Sequence, residues 1–567
     1  MPTLRNLFSR GIGRRFFTIA ILLFIPGIAF TNPARWDEIG PEGTETLIEE
    51  MSDTELLGQV LMLGYDGTSP SPQILEWIRD KRIGGIKIFG WNVGSLTNLT
   101  RSIARMQRTA ADTPKGIPLF IATDQEGGWV RHIKEETSIT AGNLAIGATR
   151  LPRDAYFSGY YIGMELRTLG VNMNFAPTVD VYANPEAHVI GPRAFSSDPL
   201  ETARLAVAYY RGLDATGVIA TAKHFPGHGR ADVDSHGALP LIDASFQDLW
   251  ENDLLPYRFL VREEVPAIMV GHLGFPEITG GDEPATLSSF FQTEILRDRL
   301  GFEGISITDD LRMSGVADTG DPLDEIALKA LEAGNDVLMI SRTPEEHEMV
   351  WDRLYREMRT NPSFRAKIEA AAGRILRIKL AYLKTPDAVP LYPDPEEVHA
   401  RIPDPEAQSF FFDLACRSVS LVEKGPIPLD PGRLGRVLLA GQYRRFLNAG
   451  KARFPGADTF YFSYDPFYTA VPSEKRRFAR LAEGYDTVIF CLANPNSLEV
   501  LGTLSDTDVQ VIVFSVLSPV YLDHLEWTDA SIAVYGVGEE SFAAGFAVLA
   551  GDYEPEGTLP VSIEGRR

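Results

Sequence analysis

Short apolar, β-branched segments alternate with amphipathic stretches from about residue 55 onward, and no other feature restricts the fold of this chain so strongly. A brief apolar run between turn residues suits a strand buried on both faces, and a 3.6-residue stripe suits a helix. Regular alternation of the two builds βα units around a parallel sheet. Eight strand candidates precede residue 345: Val60–Tyr65, Gly85–Phe89, Pro118–Thr123, Val171–Ala176, Val218–Lys223, Ala267–Gly271, Gly304–Thr308 and Asp336–Ile340. Eight such units in about 300 residues predict an α/β fold of the (β/α)8 barrel type, with insertions free to alter the strand order. Leu200–Thr216 reads as an intervening helix, with apolar Leu205, Val207, Ala208 and Leu213 and with Gly217 placed to cap its C-terminus. Phe290–Leu300, followed by Gly301, reads as another.

At 567 residues the chain exceeds what one ordinary core organises, so more than one domain is expected. A basic amphipathic helix is predicted from about Phe364 to Leu383, and a stretch holding Pro386, Pro390, Pro393, Pro395, Pro403 and Pro405 follows it. Prolines at that density predict a stiff, non-helical connection. The boundary is placed there: a barrel over 43–385, a linker over 386–408 and a C-terminal domain over 409–567. After the linker the βα rhythm resumes, with strand candidates Ser418–Val422, Arg436–Leu439, Thr459–Phe462, Thr487–Leu492, Val509–Val516 and Ser531–Tyr535. They predict a smaller open α/β sandwich. No catalytic constellation stands out within it.

Charge and targeting narrow the function classes. A formal net charge of −23 with no Lys/Arg-rich run after the N-terminus argues against a nucleic-acid partner. The two cysteines, Cys416 and Cys491, read as small buried groups rather than a disulfide framework. Arg5, Arg10, Arg14 and Arg15 precede an apolar run of 15 residues, Phe16–Phe30, and no acidic residue occurs before Asp37. This is the pattern of a secretory signal. Residues 1–30 are therefore expected to be a signal peptide or an N-terminal membrane anchor. The protein is expected outside the cytoplasm, either periplasmic, secreted or tethered to the outer face of the membrane through residues 16–30.

In a (β/α)8 barrel the functional mouth lies at the C-terminal strand ends. Strand three ends in Asp124-Gln125-Glu126-Gly127-Gly128, strand five in Lys223-His224-Phe225-Pro226-Gly227-His228-Gly229, strand six in Gly271-His272 and strand seven in Asp309-Asp310. Polar groups at four strand ends converge on one mouth. His224, His228 and His236 could hold zinc, but Pro226 and Gly227 break any helix that would stack His224 and His228. The other reading is acid/base work on a loop, with the Asp234 carboxylate orienting the His236 imidazole two residues on. A carboxylate at the tip of a buried strand, as at Asp309, is costly without partners. Asp310, on the opposite face, is the structural member of that pair. Cleaving a sugar acetal needs one group to protonate the leaving oxygen and another at the anomeric carbon. Asp309 and an acid on the strand-five loop would supply both.

Several of these segments resemble glycoside hydrolase family 3. They are Lys223–His228 (KHFPGH), Asp234-Ser235-His236 (DSH) with Pro240 after it, and Pro284–Asp310 (PATLSSFFQTEILRDRLGFEGISITDD). Asp124–Gly128 (DQEGG), Asn174–Pro177 (NFAP) and Gly191–Asp198 (GPRAFSSD) agree in the same order. The resemblance is closest to the bacterial β-N-acetylglucosaminidase branch and covers roughly residues 50–385. It implies a retaining mechanism with Asp309 as nucleophile and His236, oriented by Asp234, as acid/base. It implies that Asp124, Arg193, Lys223 and His224 bind sugar hydroxyls or the acetamide, and it implies no cofactor. Arg131, His132 and His272 complete the candidate substrate-binding set.

Two departures from the family pattern bear on the sugar site. Arginines common at positions 129 and 132 are Trp129 and His132 here, with Arg131 between them. Either Arg131 substitutes through a register change or the subsite differs. The usual GHGDT is Gly227-His228-Gly229-Arg230-Ala231. The function expected is a retaining β-N-acetylhexosaminidase acting on a carbohydrate with terminal N-acetylglucosamine, from peptidoglycan fragments or chitooligosaccharides. The alternatives are another β-glycosidase of β-glucosidase type, an N-acetylglucosaminide phosphorylase, a zinc-dependent hydrolase on the same barrel, and a catalytically inactive sugar-binding protein.

Overall fold

The computed structural model describes residues 35–563 apart from 41–42, 135, 342–343, 464–471 and 524. The segment 1–30, expected to direct export, lies outside the described residues. The eight predicted barrel strands all form: β1 (Leu61–Leu63), β2 (Gly85–Lys87), β3 (Phe120–Thr123), β4 (Met173–Asn174), β5 (Ile219–Phe225), β6 (Ala267–Val270), β7 (Ile305–Thr308) and β8 (Leu338–Ile340). They are parallel and follow one another in chain order, so no insertion has permuted them. β8 pairs with β1 through Leu61–Leu338, and a single bridge from Ile307 to Val337 joins β7 to β8 and closes the ring. Every residue of these strands is buried, which is why the segments read as continuous apolar runs rather than alternating ones.

The helices flank the ring. Pro199–Asp214 opens on an Asp198 cap, whose side chain accepts from the Glu201 amide, and buries Leu205 and Leu213. Phe290–Arg299 forms where predicted but is wound in the wider i→i+5 pattern, as in the Leu300 amide to Ile295 carbonyl bond of 2.9 Å.

The linker is more ordered than its proline content suggests, and the non-helical prediction for 386–408 is corrected. Pro395–Arg401 is a helix, and Pro405–Ser418 begins inside the same stretch. Both open on Asp-Pro-Glu. Asp394 caps the Glu396 amide, and Asp404 caps those of Glu406 and Ala407. Proline takes the first helical position, where its missing N–H costs nothing.

The C-terminal sheet contains β9 (Ser420–Glu423), β10 (Val437–Gly441), β11 (Asp458–Tyr461), β12 (Thr487–Leu492), β13 (Gln510–Val516) and β14 (Ala530–Tyr535). Its order is β9-β14-β13-β12-β10-β11, parallel except for β9. Alternation along β10 sends Leu438 and Ala440 to one face with Phe478, and Leu439 to the other with Phe446, Phe542 and Phe546. Helices therefore cover both faces, as a sandwich requires, and the second face continues into the barrel core. This domain also grips the barrel segment 182–197. Ser518 meets the Tyr182 hydroxyl at 3.0 Å, Tyr521 meets His188 Nδ1 at 2.9 Å, and the Pro560 carbonyl accepts from Ser196 Oγ at 2.7 Å.

One lysine of the predicted basic helix is not on its solvent face. Helix Pro362–Leu383 buries Lys379 completely, and its Nζ donates to Gln59 Oε1 at 2.8 Å and the Gly84 carbonyl at 2.9 Å, beside the N-terminal ends of β1 and β2. Burial holds its pKa well below the ordinary lysine value of 10.5. The unfolded chain therefore binds a proton that the folded chain releases, so this residue's contribution favours folding more as pH rises toward that value. Lys379→Met should remove the trend. The wild-type unfolding free energy should rise relative to the variant by up to about 1.4 kcal/mol per pH unit. Denaturant titrations of both proteins at neutral and alkaline pH test this; a constant difference would mean Lys379 is charged in the folded state.

Candidate active site

A chain of buried charges starts at the C-terminal ends of β2, β3 and β5. Lys87 closes β2, Asp124 follows β3, and Lys223 and His224 lie within β5. Both lysine ammonium groups bond the Asp124 carboxylate, Lys87 on Oδ2 and Lys223 on Oδ1. Lys223 Nζ also lies 2.6 Å from Glu126. Glu126 in turn receives Arg193 in a two-bond fork, at 2.9 and 2.7 Å. Arg193 Nη2 reaches His224 Nε2 at 3.0 Å, and His224 Nδ1 faces Asp180 Oδ2 at 2.7 Å.

The charges in this chain support one another's ionisation. Burial would raise the Glu126 pKa, but Arg193 and Lys223 pull it down to about 2. Burial likewise opposes ionisation of Asp124, and Lys223 and Lys87 hold its carboxyl well below the usual range. Lys87 and Lys223 are 1% and 2% exposed, whereas the Asp124 side chain retains 16%. Asp124 is thus the member that opens toward the mouth, where a carboxylate can accept from sugar hydroxyls.

Asp309 stands at the tip of β7, half-buried. Its amide donates to the Val270 carbonyl at 3.0 Å, and its Oδ1 accepts from the Asp310 amide at 2.8 Å. Burial alone would protonate it, but the imidazoles of His224, His272 and His236 and the Lys223 ammonium hold its pKa below the ordinary value. It is a carboxylate kept ionised. Asp310 has the structural role expected of it: its Oδ1 accepts from the Arg312 and Ser341 amides, at 3.1 and 3.2 Å. Burial pushes its pKa up.

The strand-five loop carries Asp234 and His236. His236 Nδ1 faces Asp234 Oδ1 at 2.7 Å, and the His236 amide donates to the same oxygen at 3.0 Å. This bond raises the His236 pKa. The Asp234 pKa falls to about 2, since the bonds to His236 outweigh burial. The His236 side chain is 67% exposed, with Nε2 left for a substrate. The pair can present a proton at the mouth opposite an ionised carboxylate, which is what acetal cleavage requires.

Three candidates fall differently. His132 joins the cluster: its Nδ1 lies 3.2 Å from Lys87 Nζ and 3.7 Å from Asp124 Oδ2. Burial and then Lys87 push its pKa down to about 4, so it is a neutral imidazole. Arg131 is turned away, donating to the Thr137 and Ser138 carbonyls at 3.4 and 2.8 Å. Arg131 is the last residue of the two-residue strand Val130–Arg131 and His132 lies just beyond it, and no register change brings Arg131 into the cluster. His272, placed in the substrate-binding set, is fully buried. Its ring nitrogens meet Thr286 Oγ1 at 2.8 Å and the Asp310 carbonyl at 3.0 Å, so it backs the Asp309 turn rather than opening to the mouth.

Lys87, Glu126 and Asp180 belong to the site without having been singled out from sequence. Their signals were present: a lysine between Ile86 and Ile88, an acid between Val179 and Val181, and a second acid in DQEGG.

With this geometry in place, comparison with known proteins settles the family. The model of the glycosyl hydrolase family 3 N terminal domain matches residues 52–378. The chain belongs to glycosyl hydrolase family 3. A protein named beta-hexosaminidase A from Pseudoalteromonas piscicida is 34% identical over 367 residues. That match takes in 58% of this chain and only 61% of the Pseudoalteromonas protein. A beta-hexosaminidase of Bordetella avium (strain 197N) is 35% identical over 356 residues, 60% of this chain and 93% of that protein. A family 3 beta-N-acetylglucosaminidase structure from Paenibacillus sp. str. FPU-7 superposes with a TM-score of 0.81 at 29% identity. It covers 90% of this chain and 99% of its own, and so includes the C-terminal sandwich.

Proposed function

We propose that the protein is a retaining β-N-acetylhexosaminidase that releases terminal β-linked N-acetylglucosamine from peptidoglycan fragments or chitooligosaccharides. The observation that carries this reading is the Asp234–His236 pair on the loop that faces an ionised Asp309. Each of His236 and Asp309 is close enough to shift the other's ionisation. The names of the two bacterial relatives and of the Paenibacillus structure support the choice of sugar.

In the first step Asp309 attacks the anomeric carbon and protonated His236 gives its proton to the leaving oxygen. The glycosidic bond breaks as the sugar–Asp309 ester forms. In the second step neutral His236 takes a proton from water, which attacks the anomeric carbon and frees Asp309. Asp124, Arg193, Lys223 and His224 line the sugar side, and His132 shapes it beside Lys87 and Asp124.

Aryl glycosides that differ only in the sugar test the reading. The N-acetylglucosaminide should be the best substrate by at least about tenfold in kcat/KM, the range one well-placed polar contact supplies. Preference for the glucoside would replace this reading with the β-glucosidase one.

Export is proposed from residues 5–30 alone; full-length native protein found in the cytosol by fractionation would reject it. Among the described residues no helix is long and apolar enough to cross a membrane.

A further inference from the structure

His236 is exposed on a loop, yet a general acid must be held close to the leaving oxygen. Displacement by about 1 Å can cost a hundredfold in rate. Exposed loop positions are mobile by default, so the fixing contact must lie elsewhere in the loop. Between Asp234 and His236 sits Ser235, which is only 4% exposed. Two anchors from different parts of the barrel meet on it.

The first anchor is His228, 3% exposed, whose Nε2 lies 3.1 Å from Ser235 Oγ. Its Nδ1 is buried with no hydrogen-bond partner among the described residues, so the ring's one polar bond goes to Ser235. The His228 amide donates to Asp180 Oδ1 at 2.7 Å. That oxygen also accepts from the His224 amide at 3.2 Å, and Asp180 Oδ2 pairs with the His224 ring. Ser235 is thereby tied to the residues that line the sugar side.

The second anchor is Gly315, in the one-turn helix Ser314–Ala317 that follows the Asp309 strand end. Its amide donates to the Ser235 carbonyl at 2.9 Å. A Cβ at position 315 would lie 2.9 Å from that oxygen, 3.0 Å from His272 Cβ and 3.3 Å from Ser235 Cβ. Only glycine allows so close an approach without displacing the loop.

We propose that Ser235 is the positioning residue of the acid/base, pinned by His228 to the sugar side and by Gly315 to the helix that follows the nucleophile strand, so that His236 keeps its place between them. The proposal rests on the acid/base reading of His236. Ser235 touches neither substrate nor reacting atoms; it acts through its neighbour.

The test uses the full chain with two N-acetylglucosaminides, a disaccharide with a poor leaving group and an aryl glycoside with a good one. The poor leaving group needs the proton and the good one barely does. Ser235→Ala and, from the opposite anchor, Gly315→Ala are each expected to lower kcat/KM on the disaccharide by about ten- to a hundredfold. On the aryl substrate each should stay within about threefold of wild type. Full activity of Ser235→Ala on both substrates overturns the proposal, as does an equal loss on both, which would mark a general disturbance of the site. His236→Ala, run in parallel, separates the two readings. If it too leaves the disaccharide rate intact, the acid/base assignment fails and the pin fails with it; if it is slow while Ser235→Ala is fast, only the pin fails.

Discussion

Asp309→Asn should lose at least about three decades of kcat on every substrate, good leaving groups included. The amide has the size of the carboxylate and can still accept from the Asp310 amide, so the β7 tip should keep its shape. What it lacks is the charge and the nucleophilic oxygen. The wild-type carboxylate stays ionised despite burial because His224, His272, His236 and Lys223 surround it, and in the proposed mechanism that ionised oxygen forms the ester. Steady-state rates and intact-mass spectrometry with a slow-turnover fluorinated glycoside provide the check. Wild type should gain the mass of one glycosyl unit and Asp309→Asn none. Near-normal turnover in the variant would remove Asp309 from the reaction.

His236→Ala should divide the substrates instead of silencing them all. On a disaccharide the loss should be about two to four decades, the usual contribution of a general acid. With a good aryl leaving group the first step should proceed almost unchanged, and the glycosyl-enzyme should accumulate for want of a base. Asp234→Asn should be milder, because it misorients the ring without deleting it.

The pH profile follows from the same pair. Asp234 raises the His236 pKa above its usual 6.5, and the acid acts in its protonated form. In wild type, kcat/KM should therefore hold at low pH and fall as pH rises through that raised value. Asp234→Asn removes the cause of the shift, so the alkaline limb should move to lower pH. Asp309, with its depressed pKa, sets the acidic limb in both proteins. An unmoved alkaline limb would show that another group governs it. Product analysis by NMR with and without phosphate separates hydrolysis from release of the sugar 1-phosphate.

Some of this was legible because it is local. Barrel strands buried on both faces must be apolar throughout, so their runs were visible residue by residue, and parallel strands joined by helices leave few topologies. The placement of Asp124, Lys223, His224 and Asp309 followed from the rule that strand ends share one mouth. The DSH segment put a carboxylate within reach of an imidazole at a spacing too short to miss. The helices at Pro395 and Pro405 are masked by the proline density around them, although Asp-Pro-Glu is a positional signal that starts a helix.

The rest depends on contacts between residues remote in the chain. Lys87 meets Asp124 across 37 positions, Arg193 meets Glu126 across 67, and His224 meets Asp180 across 44. No periodicity encodes such pairs, because each is set by how strands and loops stack around the ring. The choice of His132 over Arg131 was decided by the partners each finds, Lys87 and Asp124 for His132 and the Thr137 and Ser138 carbonyls for Arg131, and the burial of Lys379 by the closing of the barrel's other end. Residue types and their order therefore determined the barrel, the sandwich and the chemistry available at the mouth. Which charges pair, which side chains open to a sugar and what steadies His236 were decided by three-dimensional packing, since a buried charge takes whatever partner the fold brings within hydrogen-bond reach.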